Sequence, residues 1–393
     1  KLLAVLVRNN PTLSCIQSHL ADVSGCNILT RSLLLLNLYF DDLLLGQHPL
    51  LPLISNNMHA NGVPQSLLSF SHFTPFLNRL AKPTYDILKL HLLNKNRQRG
   101  FIEALMLREW GVLQKEASGV DYYYREEYKL PSHTPSYVTN CVVERSVWIM
   151  ERYVSLSVEL KLWCGGYDYS MVFWYWDFLL STRLTLVGVI KNEKLRLERE
   201  MERGNKKKGR RKNGKKPEEQ DNSSAGEKEV LLMTLKRNLC RGIVRFLAAI
   251  YQAKLLQPPA YPFTSHRRRF QKRFEPFSVI AQPPPLTYDD FLAGSDFAAV
   301  KPSDLIASAT ECFKNAKVVV DKLLSLTTTT NTPTLTSNIN IRKDEVMKFA
   351  KVCVGNMLFL HKLKQYVDAG DKDSVKVEFD WKVHELFCSI KVL

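Results

Sequence analysis

A chain of 393 residues with 45% hydrophobic side chains can bury a sizeable core, and its length suits more than one packing unit. The net charge of +16 favours polyanionic partners such as nucleic acid, although charge governs association and not fold. Eight cysteines, at 15, 26, 141, 164, 240, 312, 353 and 388, form no C-x-x-C pair and are too sparse for a disulfide-stapled secreted domain, so buried thiols in a reducing compartment are expected. The chain opens on Lys1, as a fragment would, and no leading segment has the composition of a secretory signal.

Taken in chain order, the first long apolar stripe is Ile102, Met106, Trp110, Leu113, Ala117 and Val120, with steps of four, four, three, four and three. Val143, Val147, Met150, Val154 and Val158 form a second stripe, flanked by a third of Ile149, Tyr153, Leu156 and Leu160. Two adjacent stripes make a wide apolar face that must pack against several neighbours. The next helix, over about 170–202, contains "MVFWYWDFLLSTRLTLVGVI" at 171–190, which has the ~20 residues of a membrane span. Asp177 and Arg183 would each be costly in lipid, so a core or subunit contact is expected in place of a membrane.

A linker follows. "RGNKKKGRRKNGKK", 203–216, holds nine Lys or Arg and no acid, more than half of the net charge. Residues 203–228 are nearly devoid of apolar side chains and are expected to be a disordered basic linker. Lys206, Lys207, Lys208, Arg210, Arg211 and Lys212 are the candidates for contact with the ribosome or RNA through phosphates. No aromatic side chain is interleaved to stack on bases, and a solvated insertion would look the same.

Further helices are predicted at about 231–256, 303–326 with a cap at Ser303, and 343–366. Their stripes are Leu232, Leu235, Leu239, Ile243, Phe246 and Ile250, then Ile306, Ala309, Phe313, Ala316, Val320 and Leu323. Between the first two lies a proline-rich strap, 257–288. "PPAY" at 258–261 matches a P-P-x-Y ligand, but proline there also simply stops the preceding helix. In "HRRRFQKRF", 266–274, Phe270 and Phe274 stand four apart and would anchor a short helix while Arg267, Arg268, Arg269, Lys272 and Arg273 face outward. Pro283, Pro284 and Pro285 impose an extended run, held against the helices by Phe274, Phe277, Val279 and Ile280. A second polar connector covers 327–340, and the alternation of Val375, Val377 and Phe379 with Lys376 and Glu378 predicts C-terminal strands. No repeat of fixed period is found.

Motifs for chemistry are mostly missing. An R/Q-x-x-G-x-G/A turn for an acyl-CoA pyrophosphate begins at Arg97, Arg108 and Arg211 but fails at Ile102, Leu113 and Lys216. No Walker loop, G-x-G-x-x-G or G-x-S-x-G is present, and "HELFC" at 384–388 puts Cys388 where a zinc helix needs histidine.

Four segments together resemble one family: "AKPTYDILKLHLLNKNRQRGFIEA" at 81–104, "YDYSMVFWYWDFLL" at 167–180, "KRFEPFSVIAQPPPLTYDDF" at 272–291 and the closing "VEFDWKVHELFCSIKVL". Their order and spacing are similar to those of the large auxiliary subunits of the NatC N-terminal acetyltransferase, whose chains are longer at the N-terminal side. The long helices with polar connectors read above predict a mainly α fold, an elongated helical bundle or array with a long disordered basic loop and a short C-terminal β element. The resemblance runs through a scaffold region at 76–202, a helical region at 229–326 that includes the strap, and a helix with strands at 341–393; residues 1–75, a helical segment, match poorly. It implies a cytoplasmic, non-catalytic scaffold that binds no cofactor itself. A separate GNAT-fold subunit would bind acetyl-CoA and acetylate an N-terminal Met followed by a hydrophobic residue, and an Sm-like small subunit would complete the complex. Trp174, Trp176, Phe178, Arg267, Arg268 and Arg269 are the candidate contacts to a partner subunit. The rival reading is a ribosome- or RNA-associated helical protein acting through its basic loop.

Overall fold

The computed structural model describes residues 58, 63–90, 93–132, 134–163, 165–207, 222–257, 259, 264–295, 300–328, 343–369 and 375–393. Among these, the helices are α1 (Gln65–Leu68), α2 (Phe73–Lys89), α3 (Lys95–Leu105), α4 (Gly111–Glu127), α5 (Tyr137–Glu159), α6 (Gly165–Lys207), α7 (Asn222–Gln252), α8 (His266–Phe274), α9 (Tyr288–Gly294), α10 (Pro302–Thr328) and α11 (Lys343–Ala369). Strands β1 (Val377–Asp380) and β2 (Ser389–Val392) form an antiparallel hairpin in which Val377 faces Val392 and Asp380 faces Ser389. The chain is thus the expected mainly helical array with a short β element.

The stripes become the core. Ile102, Met106, Trp110, Leu113, Ala117 and Val120 are all buried. The step from Met106 to Trp110 falls on a single π turn that joins α3 to α4; its wider winding keeps those two residues on one line. Both α5 stripes are buried as far as Val158, which lets that helix pack on α3, α4 and α6 at once. From α6 the array continues by packing α7 on α6, α10 on α7 and α11 on α10, with β2 against α11.

Helix ends follow a shared chemistry. Helices α4, α5 and α7 all finish on a lysine in the left-handed region, Lys129 (φ 48°), Lys161 (φ 55°) and Lys254 (φ 60°). The following leucine then bonds back five residues: Leu130 N to Arg125 O, Leu162 N to Ser157 O and Leu255 N to Ile250 O, at 2.9–3.1 Å. This is the Schellman stop, with lysine where glycine is preferred. The start of α5 is capped from another helix. Asp121 of α4 accepts from Val138 N (3.1 Å) and Thr139 N (2.8 Å), while Ser136 at the end makes no cap bond. Burial raises the Asp121 pKa, and the bonds from Thr139 and Val138 oppose that rise.

Helix α6 carries the two charges that argue against a membrane span, and each has a protein partner. Arg183 donates from Nε to Glu144 (2.7 Å) and from Nη1 to Glu151 (3.1 Å), both on α5, and pairs through Nη2 with Glu229 on α7. Lys236 also reaches Glu151, at 3.3 Å. Burial works to raise the Glu151 pKa, but Lys236 and Arg183 outweigh it and hold the carboxyl below its ordinary range. Asp177 accepts from Arg241 of α7 at 2.8 Å. No helix among the described residues is long and apolar enough to cross a membrane.

Two expected boundaries are corrected. The linker expected over 203–228 is shorter at both ends, because α6 continues to Lys207 and α7 begins at Asn222; its middle, 208–221, lies outside the described residues, as does 329–342 of the second connector. Proline fits the first turn of a helix, where its missing N–H is no loss, so α10 begins at Pro302 and Ser303 sits inside the turn instead of capping it.

Two predictions follow from these contacts. Arg183→Ala leaves buried Glu151 without its guanidinium and should cost about 3–5 kcal/mol in urea unfolding, with much of the loss relieved in the Arg183→Ala/Glu151→Ala double variant. Lys129→Gly and Lys254→Gly relieve left-handed strain and should each stabilise by about 0.5–1 kcal/mol. Lys161→Gly should gain less, because the Lys161 ammonium lies 4.0 Å from the Trp381 ring centroid and that contact is lost.

Candidate functional site

The aromatic run of α6 is a mast, with a different partner on each face. Toward the hairpin, Tyr169 packs on Phe379 (5.3 Å between centroids) and Trp381 (5.0 Å), and Phe173 and Trp176 stack on Phe387 (5.8 and 5.2 Å). On another face, Tyr175 stacks on Phe274 at 4.2 Å and contacts Phe277, Tyr167 meets Phe291, and the Tyr167 and Tyr288 hydroxyls are 2.9 Å apart. The third face carries Asp177 and Arg183 to α7. An i, i+4 and i, i+7 pattern on a helix cannot turn to three partners, so a helix with three partners must be apolar nearly all round.

The proline strap is fastened to this mast and to α4. Buried Gln114 uses its whole amide: Oε1 accepts from Ala281 N and Gln282 N (3.0 Å each), and Nε2 donates to Gln282 O (2.6 Å) and Ser146 Oγ (3.0 Å). Two lone pairs and two protons are all that an amide side chain offers, so none is wasted. Further along, Leu286 N donates to the Tyr175 hydroxyl at 3.3 Å, and a capping box between Thr287 and Asp290 starts α9. A Cβ at Gly111 would lie 2.7 Å from the Val279 carbonyl oxygen, so the strap backbone can approach α4 only at a glycine. Phe274, Phe277 and Ile280 hold the strap as expected, while Val279 is exposed; its carbonyl, not its side chain, faces the helix. The Gln282–Pro283 peptide bond is cis.

The closing segment is secured by α11. Asn356, fully buried, donates to Cys388 O (3.0 Å) and accepts from Ile390 N (2.8 Å), acting as an added strand edge for β2. His384 packs 4.3 Å from Phe349 and accepts from Leu386 N through Nδ1 at 3.0 Å. Burial, with Lys236 and Lys348 nearby, pushes its pKa down to about 4. The 81–104 segment reaches the same region: Lys95 bridges Glu159 (3.1 Å) and Glu385 (2.9 Å), and Gln98 accepts from Arg152 at 2.8 Å.

The sequence candidates are thereby sorted. Trp176 is fully buried inside this chain and is corrected from a partner contact to a core side chain. Trp174 and Phe178 are half-buried, Trp174 lying edge-on to Phe291 at 5.5 Å. The basic helix α8 does not present all its charges. Arg269 turns in to pair with buried Asp168, and Arg273 donates to Leu162 O at 2.6 Å. Arg267 makes a two-point bond to Asp289 of α9, leaving Arg268 and Lys272 as its outward bases. Lys206 and Lys207 stand in the last turn of α6; Lys208, Arg210, Arg211 and Lys212 lie outside the described residues. Arg97–Gly100 and the Arg108–Gly111 stretch are helical, so their amides already serve helix bonds or, at Arg97, the Asn94 cap, and do not form an anion cradle. Sequence reading missed Gln114, Asn356 and Asp121. The only signal for any of them was a polar residue on an otherwise apolar face.

A family model described as NAA35-like, TPR repeats matches residues 10–390. The NatC auxiliary subunit N-alpha-acetyltransferase 35 of Rattus norvegicus is 24% identical over 411 residues, covering 98% of this chain and 53% of the relative. The Homo sapiens protein of the same description is 24% identical over 329 residues, covering 81% and 42%. The chain therefore spans about half the length of the curated relatives it matches. Among solved structures, a crystal structure of the NatC complex bound to CoA contains a chain of TM-score 0.73 at 15% identity, covering 99% of this chain and 57% of that one. A NatC complex bound to Gag peptide and CoA matches with TM-score 0.65 at 15% identity, covering 87% and 50%. At that identity the likeness is one of fold.

Gly111→Ala separates propensity from packing. Helix propensity alone predicts a gain of about 1 kcal/mol, whereas the collision with the Val279 carbonyl predicts a loss of about 1–3 kcal/mol in denaturant unfolding. For His384 the folded pKa lies below the unfolded value of 6.5, so the unfolded chain binds more protons between the two. The stability it contributes is complete above pH 6.5 and should be lost as pH falls toward 4, by on the order of 2–3 kcal/mol, with His384→Gln flattening that part of the profile.

Proposed function

The chain belongs to the NAA35-like, TPR-repeat family, and from that premise we propose that it is a non-catalytic scaffold of an N-terminal acetyltransferase. In this reading a GNAT-fold partner binds acetyl-CoA and transfers the acetyl group to an N-terminal Met followed by a hydrophobic residue, an Sm-like subunit completes the assembly, and the complex works in the cytoplasm. The observation that carries the reading is the fate of the family-like segments. The runs at 81–104, 167–180 and 272–291 and the closing segment are spent on one another, around α6, in aromatic stacking and saturated hydrogen bonds. Side chains so used are rigid supports. A rigid support raises the rate of a partner by fixing its loops, since small misplacements of a peptide amine against a thioester are costly.

Co-expression with the catalytic subunit and assay of acetyl transfer from labelled acetyl-CoA to a Met-Leu peptide tests this. Transfer should require the catalytic subunit and rise when this chain is bound. Transfer by this chain in isolation would refute the non-catalytic role, and a full-length version that fails to bind the catalytic subunit would remove the scaffold.

A second role, contact with the ribosome or RNA, is supported by the reach of α6. Beyond Arg183 no described side chain of that helix is fully buried, and the 24 residues from Leu184 to Lys207 extend about 36 Å at the helical rise. Leu184, Leu186 and Val187 still pack against the core, and the helix runs on from there to Lys206 and Lys207 in its last turn. Deleting 203–216 should leave acetylation of free peptides intact while reducing co-sedimentation with ribosomes and its salt dependence.

A further inference from the structure

Helix α11 is the last helix in the succession α6, α7, α10, α11. Among the described residues it packs against α10, β2 and, more slightly, α7, and the side chains on its opposite face are exposed. At the end of a stacked helical array a polar outer face is expected, because no further layer arrives to cover it. Here the outer face carries Met347, Val354 and Leu358, spaced by seven and four so that they share one line along the helix. Leu358, at 61% exposure, is the most exposed of the large apolar side chains described.

Asp344 lies one turn before Met347 on the same face; beyond it the rim of the stripe has one sign. From Val346 to Val367 the helix holds four lysines, at 348, 351, 362 and 364, and no aspartate or glutamate. Lys351 falls between Met347 and Val354 on the same face, Lys362 lies one turn beyond Leu358, and both are exposed. A line of apolar side chains edged by cations selects its occupant by two terms. The apolar line needs a surface that can exclude water, and the lysines need carboxylates within a few ångströms of that surface.

Building on the scaffold reading, we propose that the outer face of α11 is a docking site for a helix of a partner subunit, an amphipathic helix with an apolar seam bordered by aspartate or glutamate. Other occupants fit less well. A second copy of this chain would set lysine against lysine. A membrane surface wants a broader apolar face with large aromatic groups, and the stripe has three side chains and none of them aromatic. Nucleic acid would use the lysines and gain nothing from the stripe.

The test uses the whole chain co-expressed with the catalytic and small subunits. With p-benzoylphenylalanine in place of Leu358, irradiation of the complex should crosslink to a partner helix flanked by acidic residues. Val354→Asp/Leu358→Asp, at exposed positions and with helix content checked by circular dichroism, should weaken partner binding at least tenfold. Lys351→Glu/Lys362→Glu should weaken it similarly and reduce the dependence on salt between 0.05 and 0.5 M. Wild-type affinity in both double variants would overturn the proposal. So would a crosslink to a second copy of the chain, or binding of the isolated chain to phosphatidylserine vesicles that is lost in the Leu358 variant. If the wild-type chain binds no catalytic subunit at all, the scaffold reading fails first and this inference falls with it.

Discussion

A helix that is apolar nearly all round must be covered nearly all round, and α6 imposes that demand on the molecule. Its aromatic run can be buried only if the hairpin, the strap and α7 arrive on three sides. The hairpin supplies Phe379, Trp381 and Phe387, the strap and its short helices supply Phe274, Phe277 and Phe291, and α7 supplies the cation for Asp177. Large aromatic side chains each bury much surface, so this convergence is a principal source of cohesion between parts of the chain that are distant in sequence.

Polar groups decide which arrangement is adopted among those that would bury the same surface. Arg183 between Glu144, Glu151 and Glu229 sets the register of α5, α6 and α7. A buried charge of this kind adds little net stability but makes a slipped register very costly, because slippage would strand a carboxylate in the core. Gln114 does the same for the strap, and Asn356 for β2. Gln114 and Asn356 each stand in for a missing backbone partner. Short irregular segments are thereby tied down without a sheet or helix of their own.

These features give physical content to a scaffold. The four family-like segments are absorbed in mutual packing, and the surfaces proposed above for other molecules, the outer face of α11 and the end of α6, lie elsewhere. Helix lengths from four residues in α1 to 43 in α6 account for the lack of a fixed sequence period in a family described by repeats. The stacking relation between helices persists although their lengths do not.

The local elements could be read from the sequence. Stripes at helical spacing placed the cores of α4, α5, α7 and α10, alternation placed β1, and the aromatic run with two interior charges declared a helix buried on several sides. Such features depend on near neighbours in the chain, so sequence alone determines them. Which aromatic side chain turns inward, which arginine of α8 is spent on Asp168 and which remains outside, and that Asp121 caps a helix other than its own, were decided by tertiary contact. Each of those depends on a partner tens to hundreds of residues away, and periodicity carries no information about which distant partner a face will meet.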